Sequence, residues 1–266
     1  MTTAEDHFRQ AFAKAQQGDA PGAFDDYTKT INLAHQILIN AHFHRGNLLR
    51  DIGNLRSALI EYSKVLELSP NDTEARLQRG NILRILGEFA EAIADFNQVI
   101  ALQPQYSEAY LNRANLNATL QEFEDALADY EHAIRLNPNH YLAFFNRGKT
   151  YVEMGNSAKA IVDLDQALRL NPNYSPSYNT RGMAWLNVGD YLKAEQDFTQ
   201  AMALDAQYYL SYVNRGVVRL LLGKEVAAEQ DFQTVLRMRP DMQPFVAQQK
   251  MQTLQIQSTQ KISGDC

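Results

Sequence analysis

Residues 141–174 read YLAFFNRGKTYVEMGNSAKAIVDLDQALRLNPNY, and the same frame recurs on both sides of this stretch at a fixed step of 34 residues. Moving outward from Arg147, arginine stands at Arg113, Arg79 and Arg45 in one direction and at Arg181 and Arg215 in the other. A small residue follows each one (Gly46, Gly80, Ala114, Gly148, Gly182, Gly216). Twelve residues further lies an alanine (Ala58, Ala92, Ala126, Ala160, Ala194, Ala228), and then an aromatic residue or leucine (Tyr62, Phe96, Tyr130, Leu164, Phe198, Phe232). A proline closes most units, at Pro70, Pro104, Pro138, Pro172 and Pro240, with Ala206 in its place once. Several fixed positions sharing one such period specify a helix-turn-helix array, in which each unit buries its apolar face against its neighbours.

The turn of each unit is marked by Gly18, Gly53, Gly87, Gly155, Gly189 and Gly223, with Gln121 at the same place once. Glycine enters the left-handed helix C-cap without strain. The glycine beside each arginine lies inside a helix, where it costs about 1 kcal/mol relative to alanine. Close approach of the two helices, with the unit's alanine facing it across the hairpin, is the expected compensation. The closing proline stops the second helix. Thr3 with Asp6 has the spacing of a capping box, and Ser175 before Pro176 reads as another helix start.

Each arginine also has a carboxylate at the same distance beyond the turn glycine: Glu61 for Arg45, Asp95 for Arg79, Asp129 for Arg113, Asp163 for Arg147, Asp197 for Arg181 and Asp231 for Arg215. Residues equidistant from a hairpin turn lie at one height on facing helices, so the spacing predicts a ladder of interhelical ion pairs.

These residues resemble the tetratricopeptide repeat (TPR) family over nearly the whole chain, in units at about 39–72, 73–106, 107–140, 141–174, 175–208 and 209–242. An irregular first unit, about 4–38, matches with Gly18, Ala23 and Tyr27 but has Gln10 for the arginine and His35 for the proline. Regular arrays of this type resemble those of bacteria, including cyanobacteria. The resemblance implies an all-α, right-handed α-solenoid (superhelix) of antiparallel helix pairs, about seven units spanning 4–242. A C-terminal capping helix over 243–257 and a flexible tail over 258–266 complete the expectation.

In that family the first helix of each unit lines the concave face. With the residue after the arginine counted as repeat position 8, positions 2, 5, 6, 9, 12 and 13 then point inward. Positions 6 and 9 are rich in carboxamides, which both donate to carbonyls and accept from amides and so suit an extended peptide backbone. The expected peptide-binding residues are His44, Asn47, Arg50, Gln78, Asn81, Arg84, Asn112, Asn115, Asn146, Lys149, Met183, Leu186, Asn214, Val217 and Leu220. The early units present Asn47, Arg50, Asp51, Asn81 and Arg84; the late ones present Val152, Met183, Leu186, Val217, Leu220 and Leu221. An apolar strip of this size either meets a partner or is covered from within, and a segment from Pro244 to Gln257 with Phe245, Val246, Met251 and Leu254 is the candidate cover. The family's clamp for C-terminal carboxylates needs a lysine where this chain has Leu77 and Leu111, which disfavours that function.

Other classes fare worse. The chain has no P-loop, dinucleotide fingerprint, nucleophile elbow or HExxH, and His42 and His44 lie on nearly opposite sides of a helix, so no catalytic residue, metal site or cofactor is expected. A net charge of −6 disfavours nucleic acid as a partner. The absence of an apolar h-region or membrane-length apolar run gives the expectation of a cytoplasmic protein with no membrane span. The only cysteine, Cys266, has no intramolecular partner. The function expected is a non-catalytic scaffold or adaptor binding another protein or a peptide segment. The alternative is a module that self-assembles as a homo-oligomer through its apolar C-terminal end, with an RNA-binding helical repeat behind it.

Overall fold

In the computed structural model, which describes residues 2–264 and side chains through Gln255, every regular element is helical. The order is α1 (Ala4–Gln16), α2 (Ala20–Asp51), α3 (Leu55–Leu68), α4 (Thr73–Leu86), α5 (Phe89–Leu102), α6 (Ser107–Thr119), α7 (Phe123–Leu136), α8 (Tyr141–Glu153), α9 (Ser157–Leu170), α10 (Ser175–Asn187), α11 (Tyr191–Leu204), α12 (Tyr209–Leu221) and α13 (Glu225–Met238). A 3-10 turn, Pro240–Met242, leads into α14 (Gln243–Gly264). The chain forms two compact units, Met1–Leu116 and Asn117–Cys266. Within the first, α1 pairs with α2, α2 with α3, and α4 with α5; within the second, α8 pairs with α9, α10 with α11, and α12 with α13. The fold class is the all-α array of antiparallel helix pairs that the 34-residue period predicts.

Packing explains the recurring residues. Ala58, Ala92, Ala126, Ala160, Ala194 and Ala228 are fully buried, as are Tyr62, Phe96, Leu164, Phe198 and Phe232. The glycine after each arginine serves the aromatic or leucine rather than the facing alanine, which corrects the sequence expectation. A Cβ on Gly80 would sit 2.8 Å from Phe96 Cε1, and one on Gly182 would sit 2.7 Å from Phe198 Cε1. Only at Gly148 does alanine contribute, through the Ala160 carbonyl 3.3 Å away. At the turns Gly87 has φ +83°, and Gln121 adopts the same left-handed conformation at φ +62°.

Some helix ends follow the sequence expectation and others depart from it. Thr3 and Asp6 form the expected reciprocal capping box. Ser175 instead lies inside α10, whose N-cap is Tyr174, and its hydroxyl donates to the Ala201 carbonyl at 3.0 Å. A larger departure lies in α2. α2 runs unbroken through residues 20–51, so the boundary expected between units at 38 and 39 is not a break between helices. It packs on α1 through Asp26 and Tyr27, which meet Lys14 and Phe8, and on α3 through Ile39 and Phe43, which cluster with Ala58, Tyr62 and Val65. At the other end α14 continues through Gly264, beyond the expected cap at 243–257 and into the segment read as a tail; Cys266 lies outside the described residues.

Candidate functional site

The arginines anchor the first helices, and five of the expected pairs form within the units. Arg79 grips Asp95 with Nε and Nη2 at 2.8 and 2.7 Å, Arg147 grips Asp163 at 2.7 and 2.8 Å, and Arg181 grips Asp197 at 2.8 and 2.7 Å. Arg215 reaches Asp231 at 3.0 and 2.7 Å. Arg45 meets Glu61 at 2.8 Å, a carboxylate that burial pushes up but that His42 and Arg45 hold below its ordinary range. The remaining nitrogen of several arginines reaches the previous repeat: Arg79 Nη1 to Ser63, Arg113 Nη1 to Asn97, Arg181 Nη1 to Asp165 and Arg215 Nη1 to Thr199, at 3.5, 2.5, 2.6 and 3.1 Å. The guanidinium groups of Arg79, Arg181 and Arg215 therefore each tie three helices. Such a clamp fixes the rotation of the first helix, and with it the direction in which positions 6, 9 and 12 point.

In the first unit those positions lie on α2, α4 and α6. His44 is exposed; Asn47, Arg50, Gln78, Asn81, Arg84, Asn112 and Asn115 are half-buried. Several are tied down internally. Asn47 Oδ1 accepts from the Tyr62 hydroxyl at 2.7 Å, and burial raises the pKa of that phenol. Arg50 donates to Gln78 Oε1 at 2.8 Å and to Asp51 at 2.9 Å; Gln78 donates to Glu74 at 2.7 Å, and Tyr106 donates to the other Glu74 oxygen at 2.7 Å. Burial, then the Glu74 bond, pushes the Tyr106 phenol up. Asn81, Arg84 and Asn112 behave differently. Among the described residues none of their side chains has a hydrogen-bond partner, and Arg84 Nε is buried without one.

In the second unit Asn146, Lys149, Met183, Leu186, Asn214, Val217 and Leu220 lie on α8, α10 and α12. Lys149 is exposed and faces Glu153 at 3.6 Å; Asn146 is half-buried. Asn214 donates to Asn179 Oδ1 at 3.1 Å, where Ser211 also donates at 3.1 Å, and the Asn179 amide lies 3.9 Å from Met183 Sδ. Met183 stays exposed, whereas half-buried Leu186 packs against the Phe198 and Val218 cluster. Leu220 is corrected from groove to core: it is buried with Val213, Phe232 and Val246, and Val217 packs on the same cluster. Val246 of α14 joins this cluster; among the described residues of α14 only Val246 and Thr253 are buried, while Phe245, Met251 and Leu254 remain exposed. Position 5 is likewise core, as at Leu77, Leu111, Phe145 and Val213.

The family comparison matches the sequence over four stretches of the array. Residues 39–72, 107–140 and 141–174 match the description "Tetratricopeptide repeat", and residues 80–121 match "TPR repeat". The chain is a tetratricopeptide repeat protein. Three of those matches have the limits read from the 34-residue period. No curated protein sequence matches the TPR chain. Among solved structures, MamA is 25% identical, with 64% of this chain and 93% of that one covered at a TM-score of 0.56. PilF of Pseudomonas aeruginosa is 19% identical over 81% of this chain and 99% of its own, with a TM-score of 0.70. YrrB, described as a TPR protein with an unusual peptide-binding site, is 20% identical over 71% and 97%, at 0.58. At these last two identities the likeness is one of fold.

Sequence reasoning missed Glu74, Tyr106, Asn179 and Ser211 as members of the TPR polar networks. Asn179 carried a readable signal, since it is the one polar residue in the position-5 column of Phe43, Leu77, Leu111, Phe145 and Val213. Tyr106 sits in the turn before α6 and carried none.

Proposed function

We propose that this TPR protein is a non-catalytic binding module that takes an extended segment of another protein along the first-helix face of its N-terminal unit, on α2, α4 and α6. The observation that carries this reading is the trio Asn81, Arg84 and Asn112, half-buried polar side chains with no hydrogen-bond partner among the described residues. A buried donor without a partner costs about 1–3 kcal/mol, so a ligand that satisfies Arg84 Nε recovers free energy already lost in the unbound chain. Carboxamides bond to backbone amides and carbonyls whatever the side chains, and the guanidinium favours a carboxylate or carbonyl. Neither group is a nucleophile or exchanges protons at neutral pH, which supports binding rather than chemistry.

The test uses peptides selected against the full chain from a random display library, titrated calorimetrically. Asn81→Ala with Asn112→Ala should weaken the selected peptides by about 1–3 kcal/mol with little change in melting temperature. Arg84→Ala should weaken those carrying acidic residues most. Wild-type affinity in both variants would remove this face as the site.

A further inference from the structure

In each repeat from 73–106 onward, the residue three beyond the arginine packs beneath the second helix of the preceding repeat. Ile82 clusters with Ala58, Tyr62, Val65 and Leu66 of α3, and Val218 clusters with Ala194 and Phe198 of α11. Ile82, Leu116, Thr150, Ala184 and Val218 are all no more than 2% exposed, whereas Leu48, the same residue on α2, is 66% exposed. The other half of the contact is bare too. Leu66 and Leu168 are 8% and 7% exposed, but Ile31, their equivalent, is 67% exposed, and Ile37 and Leu38 beside it are also exposed. Arg45 shows the same gap. Four of its counterparts, Arg79, Arg113, Arg181 and Arg215, reach a residue on the preceding second helix, whereas its own equivalent partner, Thr28, lies 17 residues earlier on the same helix, about 25 Å away along the axis.

The cause is the continuity of α2. With no break between residues 31 and 39, the arm made of α1 and the first half of α2 points away from the Leu48 face instead of folding over it. Both bare faces are apolar, and each is the kind that its counterpart covers in the other repeats. The helix that fits the Leu48 face is a first-repeat second helix, and the chain's own is held out of reach. A second copy carries an identical one. Exchange around a twofold axis would cover both faces in both copies and close the assembly. We propose that two copies of the chain exchange their N-terminal arms, residues 4–34, so that the Ile31 face of one covers the Leu48 face of the other.

Sedimentation of the full chain at tens of micromolar should give twice the chain mass. Leu48→Glu should halve it with far-UV circular dichroism unchanged. Ala34→Asn with His35→Pro, which restores the helix stop found in later repeats, should also give a monomer, because the arm then folds over its own Leu48. A cysteine pair, Ile31→Cys with Leu48→Cys in a Cys266→Ser background, separates the two arrangements directly. A disulfide-linked dimer on a non-reducing gel is the expected result. A monomeric wild type, a Leu48→Glu variant that keeps the dimer mass, or crosslinks formed only within a chain would each overturn the exchange.

Discussion

Arg181→Ala removes the most fully used clamp, and its cost is set by what becomes of Asp197. In the folded chain Asp197 is buried and receives Nε and Nη2 at 2.8 and 2.7 Å, while half-exposed Asp165 receives Nη1 at 2.6 Å. Without the guanidinium Asp165 turns to water, but Asp197 cannot. Leaving it charged and unpaired costs roughly 3–5 kcal/mol. Taking a proton instead costs about 4 kcal/mol at pH 7, three pH units above an ordinary aspartate at about 1.4 kcal/mol each, so protonation sets the ceiling. The packing of Arg181 over Tyr178 adds up to about 1 kcal/mol.

The pH dependence carries the diagnosis. Burial already holds the Asp197 pKa above the ordinary carboxylate range, with Arg181 opposing the shift, and removing Arg181 raises it further. A folded-state pKa above the unfolded value means that the folded state binds more protons. That contribution to stability is complete below about pH 4 and is lost as pH rises through the folded pKa. The variant should therefore be about 3–4 kcal/mol less stable than wild type at pH 7 and only about 1 kcal/mol less stable near pH 4. Adding Asp197→Asn should recover part of the neutral-pH deficit. Because repeat arrays can unfold in parts, denaturant unfolding should be paired with hydrogen exchange of the α10 and α11 amides. A deficit below about 0.5 kcal/mol at pH 7, or one equal at both pH values, would refute the reasoning.

Gly182→Ala places a Cβ 2.7 Å from fully buried Phe198 and should cost about 1–3 kcal/mol in a thermal melt, despite alanine's better helix propensity. Gln121→Gly should be tolerated, whereas Gln121→Val should lose about 1–2 kcal/mol, because a β-branched residue must enter φ near +62°; equal melts for the two would contradict this. Deleting 141–174 should leave a soluble helical protein, since the 34-residue phase survives, while deleting 141–157 should not; circular dichroism distinguishes them. Ending the chain at Met242 removes Val246 from Val213, Leu220 and Phe232 and should lower the melting temperature by several degrees, and an unchanged melt would mean that α14 caps nothing.

The features legible in the sequence were those that repeat. Period, turn glycines and arginine–carboxylate pairs each recur, so the hairpin geometry followed from counting. The third contact of each clamp was not read, although it obeys an equally simple count: Ser63, Asn97, Asp165 and Thr199 lie as far before their arginines as the paired carboxylates lie beyond. These partners share a place but not a chemistry, and a column mixing hydroxyl, carboxamide and carboxylate leaves no residue signature. The binding face was legible only as a set of directions. Whether an asparagine there is free depends on a residue from another element: Tyr62 occupies Asn47 and Asn179 occupies Asn214, while Asn81 and Asn112 have no partner among the described residues.

The continuity of α2 shows that the stop between repeats has two parts. Proline is one. The other is a side chain just before it that accepts from the backbone two residues on, as Asn137 does from Asn139 and Asn171 from Asn173. The repeat ending at Ala206 lacks the proline but keeps Asp205, which accepts from the Gln207 amide at 2.9 Å, and α11 still ends at Leu204. The first repeat has Ala34 and His35 at these two places, which lack both parts, and the residues around them, from Ile31 to Leu38, contain neither glycine nor proline. Helix propagation then has no competitor, because each further residue gains a backbone bond and no local alternative offers one. A sequence reading that scores the missing proline alone treats His35 and Ala206 as equals. The side chain one residue earlier decides that one position ends a helix while the other joins two repeats into a single rod.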